Sequence, residues 1–165
     1  MNQTDLTLAK TEEILNLRFS QIFDTGLPDT RVSWGLLLMR LSVGLMMHLG
    51  HGHAKLMSYA EKSSTFGDPL GIGSPLSMAL AVFAEFFCSL GIVFGFATRL
   101  SAIPLLTTML VAGLIVHADD PWGRKELAFL YAVCFLALII VGGGKYSLDY
   151  LISKKLKSSR NDLKE

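Results

Sequence analysis

Four stretches of the chain are apolar on nearly every side: Val32–Leu49, Pro75–Phe96, Leu100–His117 and Leu127–Val141. A soluble amphipathic helix alternates an apolar stripe with a polar face, whereas Ala102–Val116 and Leu127–Val141 are apolar on all sides. A bilayer core about 30 Å thick calls for about 20 apolar residues. The second segment meets that length, and the other three suit a thin or tilted fit. Ahead of them, Leu8, Leu15, Phe19, Ile22 and Phe23 recur at helical spacing, with Lys10, Glu12, Glu13, Asn16 and Gln21 largely on other faces. This predicts an amphipathic helix within Leu6–Phe23, lying on a membrane surface or docking a partner, and ended by Gly26 and Pro28. The expected fold class is therefore all-α: a four-helix transmembrane bundle with an N-terminal amphipathic helix. Its divisions are a leader (1–31), a membrane domain (32–152) and a basic tail (153–165).

Composition narrows the class further. Of 165 residues 51% are hydrophobic and 18% charged, against about 25% charged in ordinary soluble domains, and mean hydropathy is +0.45. A net charge of +1 gives no basic stripe for nucleic acid. The residues Met1–Asp5 carry no apolar run of a cleaved signal, so no cleavage is expected. Cys88 and Cys134 fall in apolar segments without CxxC spacing, and their depths differ by about 7 Å at helical rise. Buried thiols are expected there, not a disulfide or a zinc site.

Basic residues set an expected orientation. Lys10, Arg18, Arg31, Arg99, Lys145, Lys154, Lys155, Lys157, Arg160 and Lys164 fall on one side of a four-span topology, and Lys55, Lys62, Arg124 and Lys125 on the other. Ten cations against four place both termini in the cytoplasm by the positive-inside rule.

Charged groups inside the spans are the candidate chemistry. Arg40 and Glu85 both fall near mid-span, where an unpaired charge costs several kcal/mol, on the order of 3 or more. Counting depth from span centres predicts that they pair, either as a packing lock or as a site for a polar headgroup or proton relay. All four histidines, His48, His51, His53 and His117, map to the outer ends of spans one and three, near Asp119, Asp120 and Glu126. Arg40, Gly44, Met47 and His51 share one helical face. Three readings stand for the histidines: contact with water and headgroups, a proton-exchanging or quinone-contacting site, or a metal site. Fixed metal-ligand spacing is absent, and Gly50 and Gly52 disfavour a rigid helix at the HLGHGH run. No metal is expected. The candidate site comprises Arg40, Glu85, His51, His117 and Glu126, with His48, His53 and Asp119 as secondary candidates. Gly91 and Gly95 form a GxxxG run that permits close helix packing or dimerisation.

Taken in order, Arg40, His51-Gly52 with Lys55-Leu56, Glu85, the run Gly95–Ala102, His117, Glu126 and the terminal Gly142–Asp149 run (GGGKYSLD) resemble the DoxX family of small membrane proteins. The resemblance covers about Ser33 to Leu151. It implies a four-helix integral membrane protein, similar to the DoxD subunit of thiosulfate:quinone oxidoreductase, with some members associated with redox-stress complexes. His48, His53 and the leader lie outside the pattern, and no anion cradle beyond Arg40 supports thiosulfate as substrate. The resemblance implies a membrane subunit of a quinone-linked oxidoreductase or redox-stress complex, with quinone as the cofactor to test. The chain has no haem-attachment, flavin or Fe–S motif, so such a role requires a protein redox partner or an oligomer, besides the lipid bilayer. A non-enzymatic anchor or assembly factor and a small-molecule or proton transporter are the alternatives.

Overall fold

The computed structural model describes residues 29–162, and within them every long element is helical. The expected leader helix lies outside the described residues. Helix α1 spans Thr30–Met57. It starts at Asp29, whose carboxylate accepts from the Arg31 amide at 2.7 Å, a side-chain cap for a donor that the helix leaves unpaired. A short helix α2 (Tyr59–Lys62) and a loop to Gly73 lead into α3 (Ser74–Phe94). Gly95 and Ala97, both left-handed at φ 67° and 44°, turn the chain into α4 (Thr98–Val116). Helix α5 (Trp122–Val141) ends at Gly142 with φ 86°. Helix α6 (Leu148–Asp162) follows, so the 152/153 boundary falls inside a helix.

Helices α1, α3 and α4 are long and apolar enough to cross a membrane. Helix α5 has 20 residues, about 30 Å of helix, and carries Arg124, Lys125 and Glu126 in its first turns before an unbroken apolar run. The bundle is thus a four-helix membrane fold, with α1 packed along α3, α3 along α4, and α4 along α5. Leu36, Met47, Ile92, Leu105, Phe135 and Leu138 fill its core. Leu38, Leu130, Val133 and Ile140 face outward, each more than 60% exposed. Water would make that surface an aggregation hazard; lipid is its natural cover, because the helices satisfy their own backbone groups.

The first span departs from expectation. Gly50 and Gly52 do not end α1; the helix passes through both in a π-helical turn, His48–Gly52, and continues ten residues past Met47. Further π-helical turns occur at Phe83–Cys88 in α3 and Ala112–Val116 in α4. Glycine at 52 serves packing: a Cβ there would stand 2.2 Å from the Glu85 carbonyl oxygen and 2.7 Å from the Phe86 nitrogen. At Gly44 a Cβ would meet a Val93 methyl at 2.7 Å. The GxxxG run is likewise spent inside the chain, since Gly91 faces Ser101 and Gly95 faces the Arg40 guanidinium.

The loop before α3 is held by one carboxylate. Asp68 accepts from the Ser77 hydroxyl at 2.7 Å, the Gly73 amide at 2.7 Å and the Ile72 amide at 3.0 Å. The Ser77 bond foremost, then the Gly73 amide, holds its carboxyl below the usual carboxylate range. A lowered native pKa stabilises the loop above the free value, about 3.9, and that contribution disappears as pH falls through the native value. The protection of the Ile72 and Gly73 amides, measured against the unstructured exchange rate at the same pH, is therefore expected to fall below pH about 4. In Asp68→Ala that protection should be lost already at neutral pH; retained protection in that variant at neutral pH would refute the assignment.

Candidate functional site

Polar groups gather at two separate levels of the bundle. At the chain-end level, Arg40 is fully buried. Its Nη1 donates to the carbonyls of Ile92 at 3.2 Å and Val93 at 3.3 Å, and its Nη2 donates to Tyr146 at 2.5 Å. The last carbonyls of a helix have no partner within it and carry the negative end of its dipole, so the guanidinium closes α3. Only glycine fits at 95, where a Cβ would lie 2.3 Å from Nη1. Asp149 is buried beside it and accepts from the Ala97 amide at 2.6 Å and the Thr98 amide at 2.9 Å, capping α4. The Asp149 amide donates in turn to the Gly95 carbonyl at 2.9 Å. Ser147 accepts from the Tyr150 amide at 3.2 Å and so opens α6. Arg99 donates to the Ile140 carbonyl of α5 at 3.4 Å, and not to the end of α3 as its position in the turn suggests.

The expected Arg40–Glu85 pair is not formed. Contacts at Gly44 and Gly52 set the register of α1 against α3: Arg40 meets Ile92, and Gly52 meets Glu85. Twelve residues of α1 separate Arg40 from Gly52, and seven residues of α3, about 10 Å of helix, separate Glu85 from Ile92. Counting from span centres failed because α1 continues to Met57. Glu85 instead accepts from the Lys55 ammonium, and the two side chains are 5% and 26% exposed.

The Lys55–Glu85 pair lines a cavity of about 300 Å³ between α1, α3, α4 and the Asp68 loop. Leu70, Ile72, Leu80, Val111 and Val116 make its walls apolar, with Thr107 and Thr108 on α4. His117 also borders it, and its Nδ1 lies 2.7 Å from Asp120 Oδ2. That bond, more than any other contact, holds the Asp120 carboxyl below its usual range.

The other candidates diverge from this cavity. His51 presents an edge to the Tyr131 ring on α5, with centroids 6.2 Å apart. It does not face His117 across a pocket, because the π-helical turn at His48–Gly52 aims it toward α5. His48 lies 3.3 Å from both the Phe86 carbonyl and Ser89 Oγ, and His53 stacks near the Phe86 ring. Asp119 and Glu126 are exposed, and Asp120 is the acidic neighbour that reaches a histidine. Among the described residues no three His, Cys, Asp or Glu side chains converge as a metal site. Cys88 and Cys134 are both free thiols.

Sequence reasoning missed Lys55 as the partner of Glu85. The signal was present: Gly44, His48, Gly52 and Lys55 follow one another at offsets of four, four and three, one face of a helix that does not stop at glycine.

These features define a small multi-pass helical membrane protein whose buried charges are divided between a packing lock and a cavity. Residues 35–118 match the profile of the DoxX family, and the chain belongs to that family. It is similar to Inner membrane protein YqjF of Escherichia coli, 29% identical over 125 residues that make up 73% of this chain and 94% of YqjF. It is also similar to an uncharacterized protein of Haemophilus influenzae, 34% identical over 101 residues, covering 58% of this chain and 67% of that protein. No solved structure matches the chain.

Proposed function

We propose that the protein binds a quinone headgroup in the cavity beside Lys55 and Glu85, as the membrane subunit of a quinone-linked oxidoreductase or redox-stress complex. The observation that carries this reading is an ion pair between the buried Glu85 and the half-buried Lys55, set in a mostly apolar wall inside a membrane bundle. Apolar walls with few convergent polar groups are the pattern of small-molecule sites, and an intramembrane charge that does not close a helix asks for another role. The Lys55 ammonium has donors to spare for a carbonyl oxygen, since one bond to Glu85 leaves two. Two π-helical turns contribute to the lining, through Glu85 in α3 and Ala112 and Val116 in α4, and such turns recur at functional sites. Electrons come from a partner protein, as the chain itself holds no motif for a redox centre. Given the name of its Escherichia coli relative, an inner-membrane location is part of the proposal, with both termini cytoplasmic by the ten-to-four excess of cations.

A second reading has its own observation. Arg40 and Asp149 are buried charges devoted to closing helix ends, which is how a membrane anchor or assembly factor would use them. One experiment separates the two readings. Replacing Lys55 by Met and Glu85 by Leu together removes both charges and strands neither. The double variant should fold normally, yet lose at least about 90% of the quinone that co-purifies with the wild type, because the cavity then lacks its ammonium donor. Equal quinone content, measured by mass spectrometry of extracted protein, would exclude the cavity; normal complementation by the quinone-free variant would favour the anchor.

A further inference from the structure

The His117–Asp120 contact adds selectivity to the cavity, and the inference rests on the quinone reading above. An ionised carboxylate has no proton to give, so across the 2.7 Å contact His117 Nδ1 is the donor and Asp120 Oδ2 the acceptor. Arg124 on α5 approaches the other carboxylate oxygen at 3.4 Å, a second cation that keeps Asp120 anionic. The lowered pKa of Asp120 agrees with that arrangement. Asp120 is not part of the cavity lining, whereas His117 is. The Nδ1 edge of the ring is therefore committed outside the cavity, and Nε2 is the nitrogen left for an occupant.

In a neutral imidazole one nitrogen carries the proton and the other accepts. Fixing the proton on Nδ1 leaves Nε2 bare, the hydrogen-bond acceptor that this ring has to offer an occupant of the cavity. A quinone offers its carbonyl oxygens only as acceptors, and two acceptors repel. A quinol offers a hydroxyl that donates to Nε2, while its second oxygen can accept from Lys55. We infer that Asp120 is a positioning residue that makes the cavity selective for the reduced, hydroxyl-bearing form of the headgroup. The charged groups lining the cavity are Lys55 on α1 and Glu85 on α3, and those beside the His117 ring outside the lining are Asp120 in the α4–α5 loop and, through Asp120, Arg124 on α5. Among them only Asp120 touches the imidazole ring through a hydrogen bond. Recognition here is by hydrogen bonding alone, and no covalent bond forms or breaks.

The test uses purified full-length protein in detergent, with decylubiquinone and decylubiquinol as probes and ¹⁵N-labelled histidine. The His117 signal is assigned with His117→Gln. The wild type should bind quinol about tenfold more tightly than quinone, as expected of a site built to accept a hydroxyl. Its neutral His117 should show a protonated Nδ1 and a bare Nε2. Asp120→Ala should shift the proton to Nε2 and bring the two affinities within about twofold of each other. Asp120→Asn, which keeps a carbonyl acceptor, should retain most of the preference. An unchanged quinol-to-quinone ratio in Asp120→Ala would overturn the inference. So would a wild-type His117 protonated on Nε2, whether or not any variant folds. If the wild type binds neither probe, the quinone reading fails instead, and the tautomer spectrum still reports the role of Asp120.

Discussion

Replacing Arg40 by Met is expected to destabilise the bundle by about 4 kcal/mol. Three carbonyls, at Ile92, Val93 and Tyr146, take their bonds from this one guanidinium. Each buried acceptor left without a donor costs about 1–3 kcal/mol. Methionine fills much of the volume, so the loss is one of polar satisfaction and not of packing. Lysine should recover less than half, because an ammonium on a flexible stem cannot reproduce a planar fork that reaches two different segments. Denaturant titration in mixed micelles measures these differences. Combining Arg40→Met with Glu85→Leu should give losses that simply add, as for sites with no shared partner. A double variant more stable than that sum would mean the two charges are coupled after all.

The second large effect is expected at Gly52. A Cβ there falls 2.2 Å from the Glu85 carbonyl oxygen, and the obstacle is backbone, which cannot rotate aside. Gly52→Ala must push α1 and α3 apart at their π-helical turns, at about 3 kcal/mol or more, the upper range for overpacking. It should also pull Glu85 off Lys55 and reduce ligand retention in the cavity. Gly50→Ala is the matched control. It lies two residues away in the same π-helical turn, and a Cβ there meets no described atom within 4 Å. Alanine at 50 should be neutral or stabilising by up to about 1 kcal/mol, since glycine is the poorer helix former. Comparable melting temperatures for the two variants would contradict the close crossing.

Much of the architecture was legible in the chain because lipid-facing helices are apolar throughout, and length then counts the spans. The Gly142 stop, the Ser147 start and the free thiols also follow from local chemistry. Helix register was not legible. It is set by how closely backbones approach at Gly44 and Gly52, and glycine reads as a breaker when its neighbour is unknown. Once α1 was cut short at Leu49, Lys55 became a loop residue, and Arg40 was left as the nearest cation for Glu85. Side-chain direction at the histidines was hidden for a related reason. A π-helical turn adds a residue without changing composition, and that one residue sends His51 toward Tyr131. The Asp120 contact lay within reach of sequence, since an acid three residues after the histidine ending α4 can fold back onto it; Asp119 was the less apt choice.

The docking of Tyr146 and Asp149 onto the α3–α4 turn also governs the order in which the molecule can be made. All four apolar helices are synthesised by Val141, yet the amides of Ala97 and Thr98 and one arm of Arg40 still wait for residues that come later. Insertion into the bilayer and completion of the bundle are therefore separate events. A nascent chain that stalls after its last span is embedded but unfinished, with unsatisfied polar groups at one end. The Gly-rich run and the SLD sequence thus supply the last partners that the bundle needs, after its spans are already made.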